Sequence, residues 1–317
     1  MSTASFVPET YELDDDDARE TLRRLGRSKL AKDAFMRFRA ADGFSHSRAL
    51  AFQIVMTALP AIIALVGMVT VLNQEAIKRL VEETVVGLAP GPAGRILTQA
   101  FRQGSHTGSG ALWIGLLAAL IAGTTAMGQL ERGSNRIYGV EKDRPTIKKY
   151  TLGFLLACSA GMLSLVAFVL LVAGDALKDA GQATGWSDTL STVWAIARWP
   201  LGIVLVVAAF ALLFKKSPRR RQPAMSWLAT GSAVAVLLWL VFTGLLTLYL
   251  TASKSFGETY GPLAGIVGLL LWSFLTSLAI FLGLAFAAQL EAVRAGVPAP
   301  QTGAERDELP GTTRLQR

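Results

Sequence analysis

Residues able to do chemistry are scarce in this 317-residue chain, which has two histidines, His46 and His106, and one cysteine, Cys158. An apolar run long enough to cross a membrane separates the histidines, so they are expected on opposite sides and cannot share a metal. Neither sits in a His-Glu-x-x-His spacing, and no Walker loop, dinucleotide fingerprint or Gly-x-Ser-x-Gly elbow is present. A lone cysteine makes no intramolecular disulfide and no cysteine metal cluster. Within its apolar run, Cys158 reads as a small buried apolar residue. The acids Asp14 to Asp17 lack the spaced ligands and glycine of an EF-hand and read as a solvated charge run. Metal-dependent and triad hydrolysis have no support, no cofactor is expected, and the chain reads as a non-enzyme.

What remains inside the apolar runs is polar but uncharged: Gln53, Thr57, Thr124, Thr125, Gln129, Ser164, Thr243, Thr247, Ser273, Thr276 and Ser277. Proton-coupled carriers usually mark their path with intramembrane acids or histidines. Here Glu131, Asp175 and Arg198 all fall at run edges. Uncharged polar groups ordinarily hydrogen-bond between helices, and the alternative is a path for an amphiphile. Pro60 should kink its run and free a backbone carbonyl. Arg198, between Trp194 and Trp199, reads as a boundary marker that snorkels to the headgroups. Gly261 with Gly265, and Gly115, Gly123 and Gly128, point to close helix packing.

The elements that must position these residues follow from composition. Charged residues make up 17% of the chain, well below the roughly one quarter of a soluble domain, so part of it has lipid as its solvent. A helix crosses the hydrocarbon core with about 20 apolar residues. Six runs qualify: 49–72, 111–130, 150–174, 194–214, 226–250 and 262–290. They lack the alternation of barrel strands, so the fold class is all-α, a six-helix polytopic membrane bundle. The net charge of +8 lies in short loops rather than on a soluble face, which suits a membrane protein and argues against nucleic acid.

Basic loops stay in the cytoplasm. Arg132, Arg136, Lys142, Arg144, Lys148 and Lys149 follow the second run, and Lys215, Lys216 and Arg219 to Arg221 follow the fourth. Both termini are therefore expected inside. The N-terminus lacks the basic and apolar regions of a cleaved signal, so the first span is expected to act as the insertion signal. The long outer connection, Asn73 to Gly110, reads as two short amphipathic helices interrupted by Pro90 and Pro92. Residues 1–48 read as a cytoplasmic tail with an interfacial helix over Ser28 to Ala41. That helix sets Leu30, Ala34, Phe35 and Phe38 on one face, with Lys29, Lys32, Arg37 and Arg39 around them. The transmembrane domain covers 49–291, and a disordered cytoplasmic tail is expected over 292–317.

Taken together, these landmarks resemble the YihY/BrkB family of bacterial inner-membrane proteins. The carriers are Ala49-Leu50-Ala51-Phe52 with Pro60; Leu130, Arg132, Asn135, Tyr138 and Gly139 with Arg144-Pro145; and the turn around Pro218. Thr259-Tyr260-Gly261-Pro262-Leu263-Ala264-Gly265, Leu271-Trp272 and Gly283 complete the set. The resemblance runs from about Phe35 to Glu291. It departs at Gly283-Leu284-Ala285-Phe286-Ala287, where alanines stand at the positions of an acid and an amide in the family's Gly-Ala-Glu-Leu/Phe-Asn pattern. An ion-coupled mechanism is therefore not carried over. The resemblance implies a plasma-membrane location, a historical ribonuclease BN label, and associations with virulence and envelope lipid traffic. With no metal-ligand cluster and no sizeable soluble domain, the sequence argues against the ribonuclease.

The leading expectation is a transporter or flippase-like protein for a lipid or other amphiphile. Its path is expected among the first, second and sixth spans, shaped by Gln53, Pro60, Gln129, Asn135, Tyr138, Tyr260 and Gly261. The alternative is a non-transporting scaffold that docks an envelope assembly through its basic cytoplasmic loops. Membrane lipids are the expected partners, and self-association into a homo-oligomer is left open.

Overall fold

In a computed structural model, the chain is described over residues 3–10, 26–72, 108–172, 174, 178, 181–182, 185–253 and 263–297. The outer connection with His106, the acidic run, Asp175, Tyr260, Gly261 and the tail beyond residue 297 lie outside the described residues. Among the described residues, seven long helices appear: α1 (Arg27–Ala40), α2 (Gly43–Leu72), α3 (Gly108–Tyr138), α4 (Thr146–Val172), α5 (Asp188–Lys216), α6 (Met225–Ala252) and α7 (Ala264–Arg294). Helices α2 to α7 give six spans long and apolar enough to cross a membrane. The chain is a polytopic α-helical membrane protein.

The helices outrun the apolar runs that announce them. Helix α3 continues eight residues past Leu130, to Tyr138, and α5 begins at Asp188, six residues before Trp194. Lipid dictates the length of the apolar stretch, whereas backbone hydrogen bonding continues wherever polar side chains find partners beyond it. Ser187 caps α5, its hydroxyl accepting the Leu190 amide at 3.3 Å.

Each span packs on the next in chain order, and α7 returns to α2, closing a ring; α7 also reaches α1 and α3. Helix α7 is the most enclosed, and the others turn large apolar side chains outward. These include Trp113, Leu117 and Ile121 on α3, Leu155 and Met162 on α4, and Leu237, Val241, Leu245 and Leu248 on α6. Such stripes are costly in water and ordinary in lipid. Cys158 corrects the sequence reading, because it is exposed on α4 between Leu155 and Met162. An apolar run predicts burial away from water, and in lipid the outward face meets that condition as well as the inward one.

Helices α6 and α7 also cross closely. A Cβ on Gly231 would lie 2.6 Å from Ala287 Cβ, and one on Gly283 would lie 2.5 Å from Ala235 Cβ. The backbones therefore meet through small residues. Ala287, where the family pattern has its amide, fills this contact, and Ala285 is fully buried. Arg198 is buried against Gly174, with Trp199 beside it and Trp194 Nε1 donating to Gly174 O at 2.9 Å. Its guanidinium is thus packed on protein where the sequence suggested headgroups.

Both basic loops, the N-terminal segment, α1 and the end of α7 gather at one end of the bundle. The packed core sits there, around Val7, Phe38, Tyr138, Phe214, Phe281 and Leu284. Helix α1 is docked rather than loosely laid down, because Leu30 packs with Trp227 and Leu290 while Arg37 and Phe38 are fully buried. Only its opposite face stays exposed.

Candidate functional site

Two polar systems stand out, one between spans and one across the basic end. The first is a seam between α2 and α3. His46, Gln53 and Thr57 are spaced i, i+7 and i+11, which places them on one helical face rising about 16 Å. Across it, Thr125 Oγ1 donates to Gln53 Oε1 at 3.0 Å, and Gln129 Nε2 lies 3.4 Å from His46 Nδ1. Gln53, Thr57, Thr125 and Gln129 are half-buried, while Phe52 and Met56 beside them face outward. The seam closes at Pro60. There α3 comes close enough that a Cβ on Gly115 would lie 2.9 Å from Pro60 O. Pro60 stays inside a continuous α2, and the two helices come closer still beyond it, where a Cβ on Gly67 would run into the Leu112 backbone.

The second system is built around the turn Ser217 to Arg221, in which every residue has a defined partner. Ser217 Oγ shares a 2.8 Å hydrogen bond with Ser134 Oγ. Arg144 reaches across from the loop after α3, donating to Lys216 O, Ser217 O and Pro218 O at 3.2, 2.7 and 2.6 Å. Those carbonyls end α5, so a cation there is favoured by the helix dipole. Arg144 also pairs with Glu131 at 3.2 Å, and its own backbone N–H donates to Glu131 Oε1. The Arg219 backbone N–H donates to Asn135 Oδ1 at 2.7 Å, while Asn135 Nδ2 donates to Asp143 Oδ1 at 2.9 Å. Asp143 pairs with Lys149 at 2.9 Å and Arg132 at 3.5 Å. Partial burial pushes its carboxyl up, but the hydrogen bonds from Lys149 and Asn135 and the nearby cations outweigh this, and its pKa falls below the ordinary value.

Arg220 completes the turn. Its guanidinium pairs with Glu291 of α7 at 2.6 Å, donates to Val7 O and Pro8 O at 3.0 Å each, and stacks 4.6 Å from the Tyr138 ring centroid. Thr10 Oγ1 donates to the same Glu291 Oε1 at 2.9 Å. The Arg221 backbone N–H donates to Glu9 Oε1 at 2.9 Å. Residues 3–10 thus form an extended strap across the bundle end. Its backbone is fixed further by Ala4 N–H to Arg136 O and Val7 N–H to Tyr138 O, both 3.1 Å. The strap passes over Gly139, whose φ of 77° and closeness to Phe6 backbone leave no room for a side chain. Arg37 of α1 clamps it from the other side, donating to Ser5 O, Ile137 O and Gln289 Oε1. Burial pushes the Arg37 guanidinium down to about 10, still far enough above neutrality to keep it charged.

The residues expected to shape a path therefore divide. Gln53 and Gln129 line the seam, and Pro60 stands at its end. Asn135 and Tyr138 belong to the closure of the basic end, while Tyr260 and Gly261 lie outside the described residues. Sequence reading missed Arg37, Glu131, Asp143, Arg144, Arg220 and Glu291 as members of one network. The available signal was an acid just past the apolar part of each of two spans, each spaced to face a basic loop. Among the described residues, no three of His, Cys, Asp and Glu gather where they could hold a metal.

Comparison with known proteins bears on the whole arrangement. Over 258 residues the chain is 26% identical to the putative ribonuclease-like protein YfkH of Bacillus subtilis, covering 80% of this chain and 91% of that one. It is 30% identical over 208 residues to the UPF0761 membrane protein azo3165 of an Azoarcus species, covering 65% of this chain and 49% of the relative. A UPF0761 membrane protein of Chromohalobacter salexigens is 25% identical over 268 residues, with coverage of 82% and 62%. The chain thus spans nearly all of the first relative and about half to two thirds of the other two. No solved structure matches it. The family model described as virulence factor BrkB matches residues 34–308, nearly the whole helical body, and the chain belongs to that family of membrane proteins.

Proposed function

We propose that this protein is a transporter or flippase-like protein of the bacterial inner membrane, with its basic end in the cytoplasm and a lipid or other amphiphile as its cargo. The observation that carries the reading is the seam between α2 and α3. Uncharged donors and acceptors from two helices line it, and the outward side chains beside it are apolar. A half-buried polar seam at the outer surface lets a headgroup exchange hydrogen bonds with these side chains while its acyl chains stay in lipid, so neither part is stranded in the wrong solvent. Exposed Arg132, one turn beyond Gln129, sets positive charge at the mouth on the basic end. The proposed function has no catalytic step. The scaffold reading retains exposed Lys142, Lys148 and Lys216 as a docking surface, but Arg220, central to the basic turn, faces inward.

A phospholipid with a photoreactive headgroup tests the assignment. Crosslinks should concentrate on α2 and α3 around Gln53 and Gln129 and be lost in a folded Gln53→Leu, Gln129→Leu variant. Crosslinks spread evenly over all outward faces would overturn it.

A further inference from the structure

Helix α1 has two faces with opposite duties. The inner one, Leu30, Asp33, Ala34, Arg37 and Phe38, is buried against the bundle. The outer one carries exposed Lys29, Lys32, Phe35 and Arg39 and contains no acid. Phe35 is 44% exposed, and its ring lies 6.3 Å from Phe38, which meets Phe44 edge-on at 5.0 Å. Phe44, 41% exposed, stands on the first turn of α2, where the span begins. The aromatic row therefore runs from the outer face of α1 to the start of the first candidate span. Arg48, also exposed, extends the basic rim along α2.

From this geometry we infer that the outer face of α1 is a binding surface for the anionic phospholipid headgroups of the leaflet at the basic end. Phe35 and Phe44 insert among the acyl chains, and Lys29, Lys32, Arg39 and Arg48 meet the phosphates. Charge complementarity selects the occupant, because three bases of α1 and one of α2 flank exposed aromatic rings, against a single exposed acid, Asp42, in the turn between them. Each base near an anionic surface strengthens attachment roughly five-fold, and buried aromatic area adds a salt-independent part. The consequence reaches beyond anchoring. The same helix presents Arg37 inward to Ser5, Ile137 and Gln289, so the composition of the leaflet acts on the helix that clamps the strap. The inference does not require that the protein move a lipid.

Cys158 is the only cysteine, so a Cys158→Ser background allows one environment-sensitive fluorophore at Phe35→Cys in the full chain. The labelled protein is reconstituted in phosphatidylcholine vesicles with and without phosphatidylglycerol. The expected result is a blue shift of emission that grows with phosphatidylglycerol and shrinks at high salt. The shift should vanish in a Lys29→Gln, Lys32→Gln, Arg39→Gln variant and survive Lys142→Gln, Lys148→Gln. Unchanged helix content and a monodisperse elution peak establish that the variants fold. Emission that stays water-like in every vesicle would overturn the inference. So would a blue shift independent of phosphatidylglycerol and lost on Asp14 to Asp17→Asn, which would mean that the chain's own acidic run covers the face.

Discussion

Arg220 and Glu291, 71 positions apart, form a 2.6 Å ion pair whose side chains are only 3% and 1% exposed. The pair fixes the turn after α5 to the end of α7, and Thr10 fastens the strap to the same carboxylate oxygen. Two buried charges are kept in place by each other, so removing one strands its partner away from water. Glu291→Gln or Arg220→Ala should cost about 3–5 kcal/mol, read as a lower unfolding temperature in detergent. Replacing both with well-packed apolar residues, Arg220→Met with Glu291→Leu, should recover most of the loss. A double variant as unstable as the single ones would show that the strap contacts outweigh the pair.

The α6–α7 crossing gives a sharper steric prediction. Gly283→Leu drives its side chain into Ala235 and the Gly231 carbonyl, where backbone rather than a flexible side chain must yield. Loss of folded, monodisperse protein is expected. Gly244→Ala on α6 meets nothing within 4 Å and should raise stability by up to about 1 kcal/mol through helix propensity. Parallel elution profiles and melting curves of the two variants check this.

Acid should act through Asp143. Its carboxyl titrates below the ordinary value of 3.8 in the folded chain, so it contributes stability above that pH and loses it as pH falls through the lowered value. Melting temperature in detergent should therefore drop on acidification through and below the ordinary carboxylate range. Asp143→Asn should be less stable than the parent at neutral pH and show a shallower acid slope. Parallel pH profiles of parent and variant would contradict the assignment.

Asn135 bridges two elements by accepting from Arg219 N–H and donating to Asp143. Asn135→Ala leaves the part-buried Arg219 amide without its acceptor and removes one donor from Asp143, at about 1–3 kcal/mol in total. Asn135→Asp restores the acceptor but sets a second acid against Asp143, and should be no better. Chemical unfolding of the two variants against the parent measures this.

The six spans were legible because each apolar run is longer than any buried segment of a soluble protein needs to be, and the basic loops were legible as a one-sided set. The pairing at the basic end was not. Whether Glu291 meets Arg220 or Arg37 depends on the rotation of α7 and on where α5 stops, and neither is encoded in a local pattern. The strap was hidden for a related reason. Residues 3–10 open a stretch, Met1 to Asp17, whose polar, acidic composition suggests a solvated tail, yet Ala4, Val7 and Thr10, three apart, are buried. Gln53 and Gln129 were readable as polar residues inside lipid spans, because a polar group there needs a partner. Asn135 and Tyr138, singled out through the family resemblance, lie beyond the apolar part of α3 and serve the closure.

The central claim is that the α2–α3 seam carries a headgroup across the bilayer, and the most direct measurement is transbilayer movement of labelled phospholipids in proteoliposomes containing only this protein. The account predicts movement above empty liposomes, lost in Gln53→Leu, Gln129→Leu and retained in a control with Cys158→Ser on the outward face of α4. Movement no faster than in empty liposomes, or equal in parent and seam variant, would contradict it.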